Sequence, residues 1–190
     1  GRPLVTWKDA APLDGRVAAA DGTSRWITGP ASRRHVHGRR QEVDALVVGT
    51  GTLRADDPSL TARLDDGTPA PRQPLRAVMG LTDVPADAAV RGTDGRFRHL
   101  ATRDPAAALD LLGDVHHVLI EGGPRLAGAF LAADLVDEVE AYLAPLVLGA
   151  GRSAVEGAGV STLAGAHAFE VRETAHLGSD IYLRLTARTT

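Results

Sequence analysis

Five short apolar runs, at residues 4–7, 45–48, 75–79, 117–120 and 139–143, recur along the chain with helix-like stretches between several of them. Strands that alternate with helices cannot pair as hairpins, so this spacing predicts a largely parallel sheet covered by helices. The end of the chain reads differently. Residues 169–176 and 180–186 flank a Leu177-Gly178-Ser179 turn, and Ile181, Leu183 and Leu185 alternate with Tyr182, Arg184 and Thr186. That pattern predicts a hairpin whose Ile181, Leu183 and Leu185 face is buried, finishing the sheet with an antiparallel edge. The expected class is therefore α/β, with a mostly parallel central sheet flanked by helices and an antiparallel C-terminal hairpin. Residues 65–74 and 83–96 lack periodic apolar positions and read as surface loops. Residues 31–40 read as a helix after Gly29-Pro30, with Thr28 as a candidate cap.

At 190 residues, one domain with its own core is the economical reading, and residues 1–190 are taken as a single unit. The formal net charge of -3, with no dense Lys/Arg block, argues against a nucleic-acid partner, although isolated arginines still suit small phosphorylated ligands. Absence of cysteine removes thiolate chemistry, disulfides and Cys-ligated zinc. No apolar stretch approaches a membrane span and no signal-peptide centre stands near the start, so a cytoplasmic location without membrane contact is expected. Lys8 is the only lysine among 21 basic residues, which concentrates any side-chain amine chemistry on that position.

The run Val118-Leu119-Ile120 breaks into Glu121-Gly122-Gly123-Pro124 and then into an apolar helix-like stretch. Two glycines allow close approach of a ligand, Pro124 suits the first helical position, and first-turn N–H groups attract an anion. Glu121 suits a sugar hydroxyl or a proton instead. A plain tight turn with a solvated carboxylate uses the same residues. A second glycine-bearing junction, Gly49-Thr50-Gly51-Thr52, follows the run at 45–48, with Asp56 and Asp57 shortly after. Two such turns at the C-terminal ends of parallel strands mark the edge where open α/β sheets bind ligands. Lys8 suits stabilising an anion, or is a surface lysine at a strand end. Arg40 and Arg63 are candidate phosphate ligands because a planar guanidinium matches two phosphate oxygens. His35 and His37 face different ways on a helix, as His116 and His117 do on a strand, so no metal site is expected. Asp56 and Asp57 are read as capping and hydrogen-bonding groups. No G-x-S-x-G elbow is present.

Taken in order, Arg2-Pro3, Lys8, Leu13-Asp14-Gly15-Arg16, Gly22-Thr23-Ser24-Arg25-Trp26-Ile27-Thr28, Asp44-Ala45, Gly49-Thr50-Gly51-Thr52, Asp56-Asp57-Pro58, Leu60-Thr61, Arg63 and Glu121-Gly122-Gly123-Pro124 carry a combined pattern. It closely resembles the C-terminal reductase domain of the bifunctional riboflavin-biosynthesis deaminase/reductase, over nearly the whole chain. The resemblance implies a dihydrofolate-reductase-like fold and NADPH-dependent reduction of 5-amino-6-(5-phosphoribosylamino)uracil to its ribitylamino counterpart, with hydride delivered to C1′. Ala10, Trp26, Thr52 and Asp56 would line the cofactor, with Gly123, Pro124, Arg125, Leu126, Ala127, Gly128 and Ala129. Ser24, Arg40, Leu60, Arg63 and Glu121 would contact substrate, the serine and arginines serving mainly its phosphate. Lys8 and Glu121 would be the catalytic pair, one assisting ring opening or stabilising charge and the other orienting the substrate.

Two positions depart from that pattern: Pro12 stands where serine or threonine is usual, and Gly80 where aspartate is common. The zinc motif of the deaminase half is not in the sequence, so a deaminase would be a separate domain or protein. A homodimer is implied by the family habit and by the apolar C-terminal strands. Arg54 and Arg33, each beside a cofactor segment, are the candidates for reading the 2′-phosphate of NADPH. Two other readings remain open: a reductase of the same fold acting on a folate-like, pterin or specialised pyrimidine substrate, and a catalytically silent nucleotide-binding domain.

Overall fold

The computed structural model describes residues 1–188. Its main sheet has eight strands in the order β5-β4-β3-β6-β1-β7-β10-β9. The strands are β1 (Leu4–Pro12), β3 (Ala45–Gly49), β4 (Leu75–Met79), β5 (Phe97–Leu100), β6 (His117–Ile120), β7 (Glu138–Ala144), β9 (Phe169–Leu177) and β10 (Asp180–Ala187). From β5 to β7 all neighbours run parallel, whereas β10 is antiparallel to β7 and β9 to β10. A two-stranded ladder of β2 (Arg16–Ala18) and β8 (Arg152–Ser153) ties a loop after β1 to the segment after β7. The helices are α1 (Pro30–Glu42), α2 (Thr50–Asp56), α3 (Pro105–Leu112) and α4 (Pro124–Ala132).

Both faces of the sheet centre are covered, which is why β3 reads as a continuous apolar run. Ala45 and Val47 pack with Leu109 and Leu112 of α3 and with Leu126 and Phe130 of α4. Leu46 and Val48 pack the other way, against Leu53 of α2 and against Val84, Ala88 and Val90. Those last three correct the reading of 83–96 as surface loop. The segment lacks regular periodicity because it crosses the core edge as extended chain and a single 3-10 turn at Ala89–Arg91, yet it seals one hydrophobic cluster.

Three more expectations are revised. Strand β1 runs on to Pro12, because β7 supplies a ladder partner from Thr6 to Pro12; its polar second half lies at the ligand edge. Helix α1 is capped by extended Gly29 with Pro30 in the first turn, and no side chain caps it, so Thr28 is not the cap. On β10 the buried positions are Asp180 and Tyr182, while Ile181, Leu183 and Leu185 are half-buried. The cause is α1, which lies over the Tyr182 face: Oδ2 of Asp180 accepts from the Gly29 N–H at 2.7 Å and from the Ser32 hydroxyl at 2.6 Å. Strand β5 is additional, its apolar alternation diluted by Arg98 and His99 at an outer edge of the sheet.

Glycine is required where α4 meets the segment after β8. A Cβ on Gly128 would overlap the Glu156 carbonyl oxygen, a backbone atom that cannot swing aside. Gly51 of α2 has nothing within 4 Å of its virtual Cβ. In urea unfolding, Gly128→Ala should therefore lose about 1–3 kcal/mol by overpacking. Gly51→Ala should be neutral or gain up to about 1 kcal/mol from helix propensity.

Candidate active site

The strand order reverses between β3 and β6: β3 leads outward to β4, whereas β6 leads across β1 to β7. Crevices at such reversals, outside the carboxyl ends of the strands, are where doubly wound sheets take ligands. Both glycine-bearing junctions open there. Gly49 caps α2 and Gly123 caps α4, with Pro124 in the first turn. The Gly123 N–H donates to Thr52 Oγ1 at 3.1 Å, which locks the two junctions together.

Ile120 is the last residue of β6, so Glu121 follows at its tip, and its carboxylate meets the guanidinium of Arg40 from α1. Arg40 donates from Nε to one oxygen and from Nη2 to the other, both at 2.7 Å, and from Nη1 to the Thr61 carbonyl at 3.0 Å. Only 8% of the Glu121 side chain and 15% of the Arg40 side chain is exposed. Burial pushes the Glu121 carboxyl up, but Arg40 more than reverses this by charge and hydrogen bonding, with Lys8 and His37 adding to it; its pKa is pushed down to about 2. Glu121 is thus a permanent carboxylate near neutrality, able to accept hydrogen bonds and to hold positive charge.

Lys8 lies in mid-β1, opposite Glu140 of β7, and is not a strand-end residue. Alternation along the strand puts it on the Glu121 face with Ala10, while Asp9 turns to the α4 face. Burial pushes the Asp9 carboxyl up despite the neighbouring Lys8. The Lys8 ammonium is 6.0 Å from the ring centroid of Tyr142. Tyr142 is buried, hydrogen-bonds His35 Nδ1 at 2.8 Å and stacks with Tyr182 at a centroid distance of 5.1 Å.

The remaining sequence-predicted residues divide by location. Arg25 donates to the Asp56 carbonyl at 3.3 Å and lies 3.6 Å from its carboxylate, joining the 23–28 segment to α2. Trp26 is largely exposed and carries the Arg33 guanidinium 4.4 Å from its ring centroid; Arg33 also donates to the Thr28 carbonyl. Ser24 is exposed. Arg63 is exposed and donates to Gly67 O at 3.0 Å. Leu60 is buried in the α2-side cluster with a left-handed φ of 51°, so its backbone and not its side chain faces outward. Within α4, Arg125 is exposed and Ala129 half-buried, while Pro124, Leu126, Ala127 and Gly128 are buried and present only main chain. Asp57 accepts from the Ala89 N–H at 2.9 Å and Asp14 from the Gly149 N–H at 2.7 Å, both as loop ties.

Sequence reading weighed His35 and His37 only as metal ligands and passed over Tyr142. His37 faces Arg40, Glu121, Arg63 and the Thr61 carbonyl, and burial pushes its imidazole pKa down. The available signal was on β7, where Glu138, Glu140 and Tyr142 occupy every second position, an unexpected polar row in a central strand.

A crossover sheet with a locked pair of glycine turns at its strand-order reversal, and a buried carboxylate fixed there by Arg40, defines an α/β domain with a ligand crevice at the carboxyl edge of its sheet. The chain belongs to the family described as the RibD C-terminal domain, which matches residues 3–183. A riboflavin biosynthesis protein RibD of Mycobacterium tuberculosis is 48% identical over 188 residues, covering 99% of this chain and 56% of its own length. This chain thus spans about half the length of that relative. A 2,5-diamino-6-ribosylamino-4(3H)-pyrimidinone 5′-phosphate reductase of Methanothermobacter thermautotrophicus is 30% identical, with 98% of this chain and 99% of its own covered. The crystal structure of a diaminohydroxyphosphoribosylaminopyrimidine deaminase/5-amino-6-(5-phosphoribosylamino)uracil reductase from Thermotoga maritima superposes with a TM-score of 0.82 at 26% identity, over 98% of this chain and 57% of that one. Among the described residues no helix is long and apolar enough to cross a membrane.

Breaking the Arg40–Glu121 pair leaves a buried charge uncompensated. Glu121→Gln should therefore cost about 3 kcal/mol in urea unfolding at neutral pH. Because the folded-state pKa is depressed, the stabilisation is complete above the ordinary value of 4.5 and lost as pH falls toward about 2. Wild type should converge on the variant over that window.

Proposed function

We propose that this domain reduces 5-amino-6-(5-phosphoribosylamino)uracil to the ribitylamino compound with NADPH. The observation that carries the reading is the Glu121 carboxylate, held ionised by Arg40 at the switch point with Lys8 beside it. The site fits a dinucleotide: Gly51 leaves open space, and a Cβ on Gly123 would stand 3.5 Å from Thr52 Oγ1. At these two glycines no side chain stands over the main chain, which lets a pyrophosphate approach the starts of α2 and α4 closely. A bound nicotinamide cofactor supplies hydride there.

In this reading the substrate nitrogen's lone pair expels O4′ from C1′, and Lys8 delivers the proton that O4′ takes up. Glu121 lacks a proton to give near neutrality and holds the positive charge that develops at C1′–N. Hydride then adds to C1′, giving the secondary amine, and Lys8 is reprotonated by water. Ser24, Arg63 and the unused N–H groups of Arg40 hold the phosphate, and Trp26, Thr52 and Asp56 flank the cofactor. The archaeal relative, covered almost end to end and named as a reductase alone, supports the reaction residing in this unit. Its name also favours a second substrate, the diaminopyrimidinone that has not been deaminated. A deaminase domain or protein would feed the first substrate. Edge strand β9, with Val171 exposed, favours pairing of two copies.

The test follows NADPH absorbance while a separate deaminase generates the uracil substrate, with and without that deaminase, and with product mass determined. Turnover to the ribityl compound is expected. No turnover, when a control reductase consumes the same substrate, would refute the assignment. Lys8→Met should lower kcat at least about 100-fold while both ligands still bind, in the range of a lost proton donor; full turnover would remove Lys8 from the chemistry.

A further inference from the structure

Helix α1 has two polar faces. Ser32, His35 and Arg39 rest on Asp180, Tyr142 and Glu140 in the layer over β7 and β10. Arg33, His37 and Arg40 recur at i, i+4 and i+7 and so form a second row, along the wall of the crevice. Contacts fix both ends of that row: Arg33 lies over Trp26 and Arg40 grips Glu121. His37 stands between them, one turn from Arg40. The 59–63 segment faces it, with the Thr61 carbonyl held by Arg40 Nη1 and with Arg63 two residues on.

The ends of the row have partners and its middle has none. His37 is half-buried, and its Nδ1 is enclosed without a hydrogen-bond partner among the described residues. Its Nε2 is the ring nitrogen left open to a ligand. A buried polar atom without a partner is a cost that the right protonation state or ligand removes. The charged groups that act on the ring are Arg40 from its own helix, Glu121 from the tip of β6 and Arg63 from the facing segment. Burial and then Arg40 hold the imidazole below its ordinary pKa, with Glu121 offsetting them only in part, so the ring is neutral in the empty crevice near neutrality.

Resting on the substrate reading above, we infer that His37 is a substrate-binding residue that donates to the ribosyl phosphate and takes up a proton as that phosphate enters. A neutral imidazole has one N–H. Carried on Nδ1, it leaves Nε2 as a lone pair set against an anion; carried on Nε2, it leaves Nδ1 as an enclosed lone pair with no donor. An imidazolium removes both conflicts, with Nε2–H for the phosphate and Nδ1–H for the enclosed side, the Thr61 carbonyl being the acceptor that faces the ring. Charge points the same way. Arg40 is matched by Glu121, and among the described residues Arg63 has no carboxylate partner, so at this end one guanidinium meets a phosphomonoester dianion. The imidazolium supplies the second positive charge. One proton passes from solvent to the ring as the phosphate binds and returns when it leaves, and no covalent bond changes. A ribosyl ligand without phosphate leaves the ring neutral, so His37 separates phosphorylated from bare sugars.

The test titrates D-ribose 5-phosphate, with D-ribose as the phosphate-free probe, into wild type, His37→Gln and His37→Ala by calorimetry in two buffers of different ionisation enthalpy. The pH is held at about 7.5, above the second phosphate pKa of about 6, so that the ligand arrives as a dianion. Wild type should take up as much as about one proton per ribose 5-phosphate and none with ribose. His37→Gln, which keeps an N–H donor but does not titrate, should bind without proton uptake; His37→Ala should bind at least about tenfold more weakly, as for a lost charge-assisted contact. In the reductase assay His37→Ala should raise KM for the uracil substrate by a similar factor with kcat within about threefold of wild type. Ribose 5-phosphate bound by wild type without proton uptake, a measurement that depends on neither variant folding, would overturn the inference and leave the reductase reading in place. Uptake that persists in His37→Gln, or an unchanged KM in His37→Ala, would do the same. Ribose 5-phosphate bound no more tightly than ribose by wild type would overturn the phosphorylated-substrate reading as well.

Discussion

The two-pronged contact between Arg40 and Glu121 fixes the geometry of everything above the sheet's carboxyl edge. It joins the last turn of α1 to the tip of β6, and the third donor of the same guanidinium draws in the Thr61 carbonyl. Three segments distant in sequence thus meet on one planar group. Two ions taken out of water are tolerable only when their hydrogen bonds are nearly complete, and here both carboxylate oxygens and three guanidinium nitrogens are engaged. The same contact that organises the fold leaves an ionised acceptor next to Lys8, so structural and chemical roles share one pair of side chains.

The two faces of the sheet have different chemistry. Helix α4 buries Leu126, Phe130 and Leu131 in an apolar cluster and needs little else. Helix α1, whose sequence has no apolar stripe, settles on a polar layer instead: Ser32 on Asp180, His35 on Tyr142, Arg39 on Glu140. Ser32 is its only fully buried residue. Directional contacts specify position more sharply than oil-like packing does, which suits the helix that carries Arg40. Burial pushes the Glu140 carboxyl and the Tyr142 and Tyr182 hydroxyls upward, in keeping with a desolvated layer.

Much of this was legible where the constraint is local. The α/β alternation, the C-terminal hairpin and the start of α4 at Gly123-Pro124 follow from residues within a few positions of one another, and the structure has all three. Strand β5 was not legible, because at an edge Arg98 and His99 replace the apolar alternation. The buried face of β10 was misread because a valine-and-leucine rule assigns Ile181, Leu183 and Leu185 inward, whereas α1 offers hydrogen-bond partners to Asp180 and an aromatic neighbour to Tyr182. Among the site residues, Arg40, Glu121 and Lys8 were picked out singly by type. The ion pair between Arg40 and Glu121 was not, since 81 residues separate them and no periodicity spans that distance.

Strand β1 is the first element of the chain and stands in the middle of the sheet, between β6 and β7. Its Val5 N–H is held by Asp137, 132 residues onward, and the entry to α1 is held by Asp180, 148 residues beyond Ser32. During synthesis, Lys8 and Arg40 therefore leave the ribosome long before the partners that orient them. Contacts of such long range slow folding and leave strand edges open meanwhile. The early half of this chain waits on the late half, and its solitary lysine and its arginine-rich first helix keep it charged and hydrated while it does.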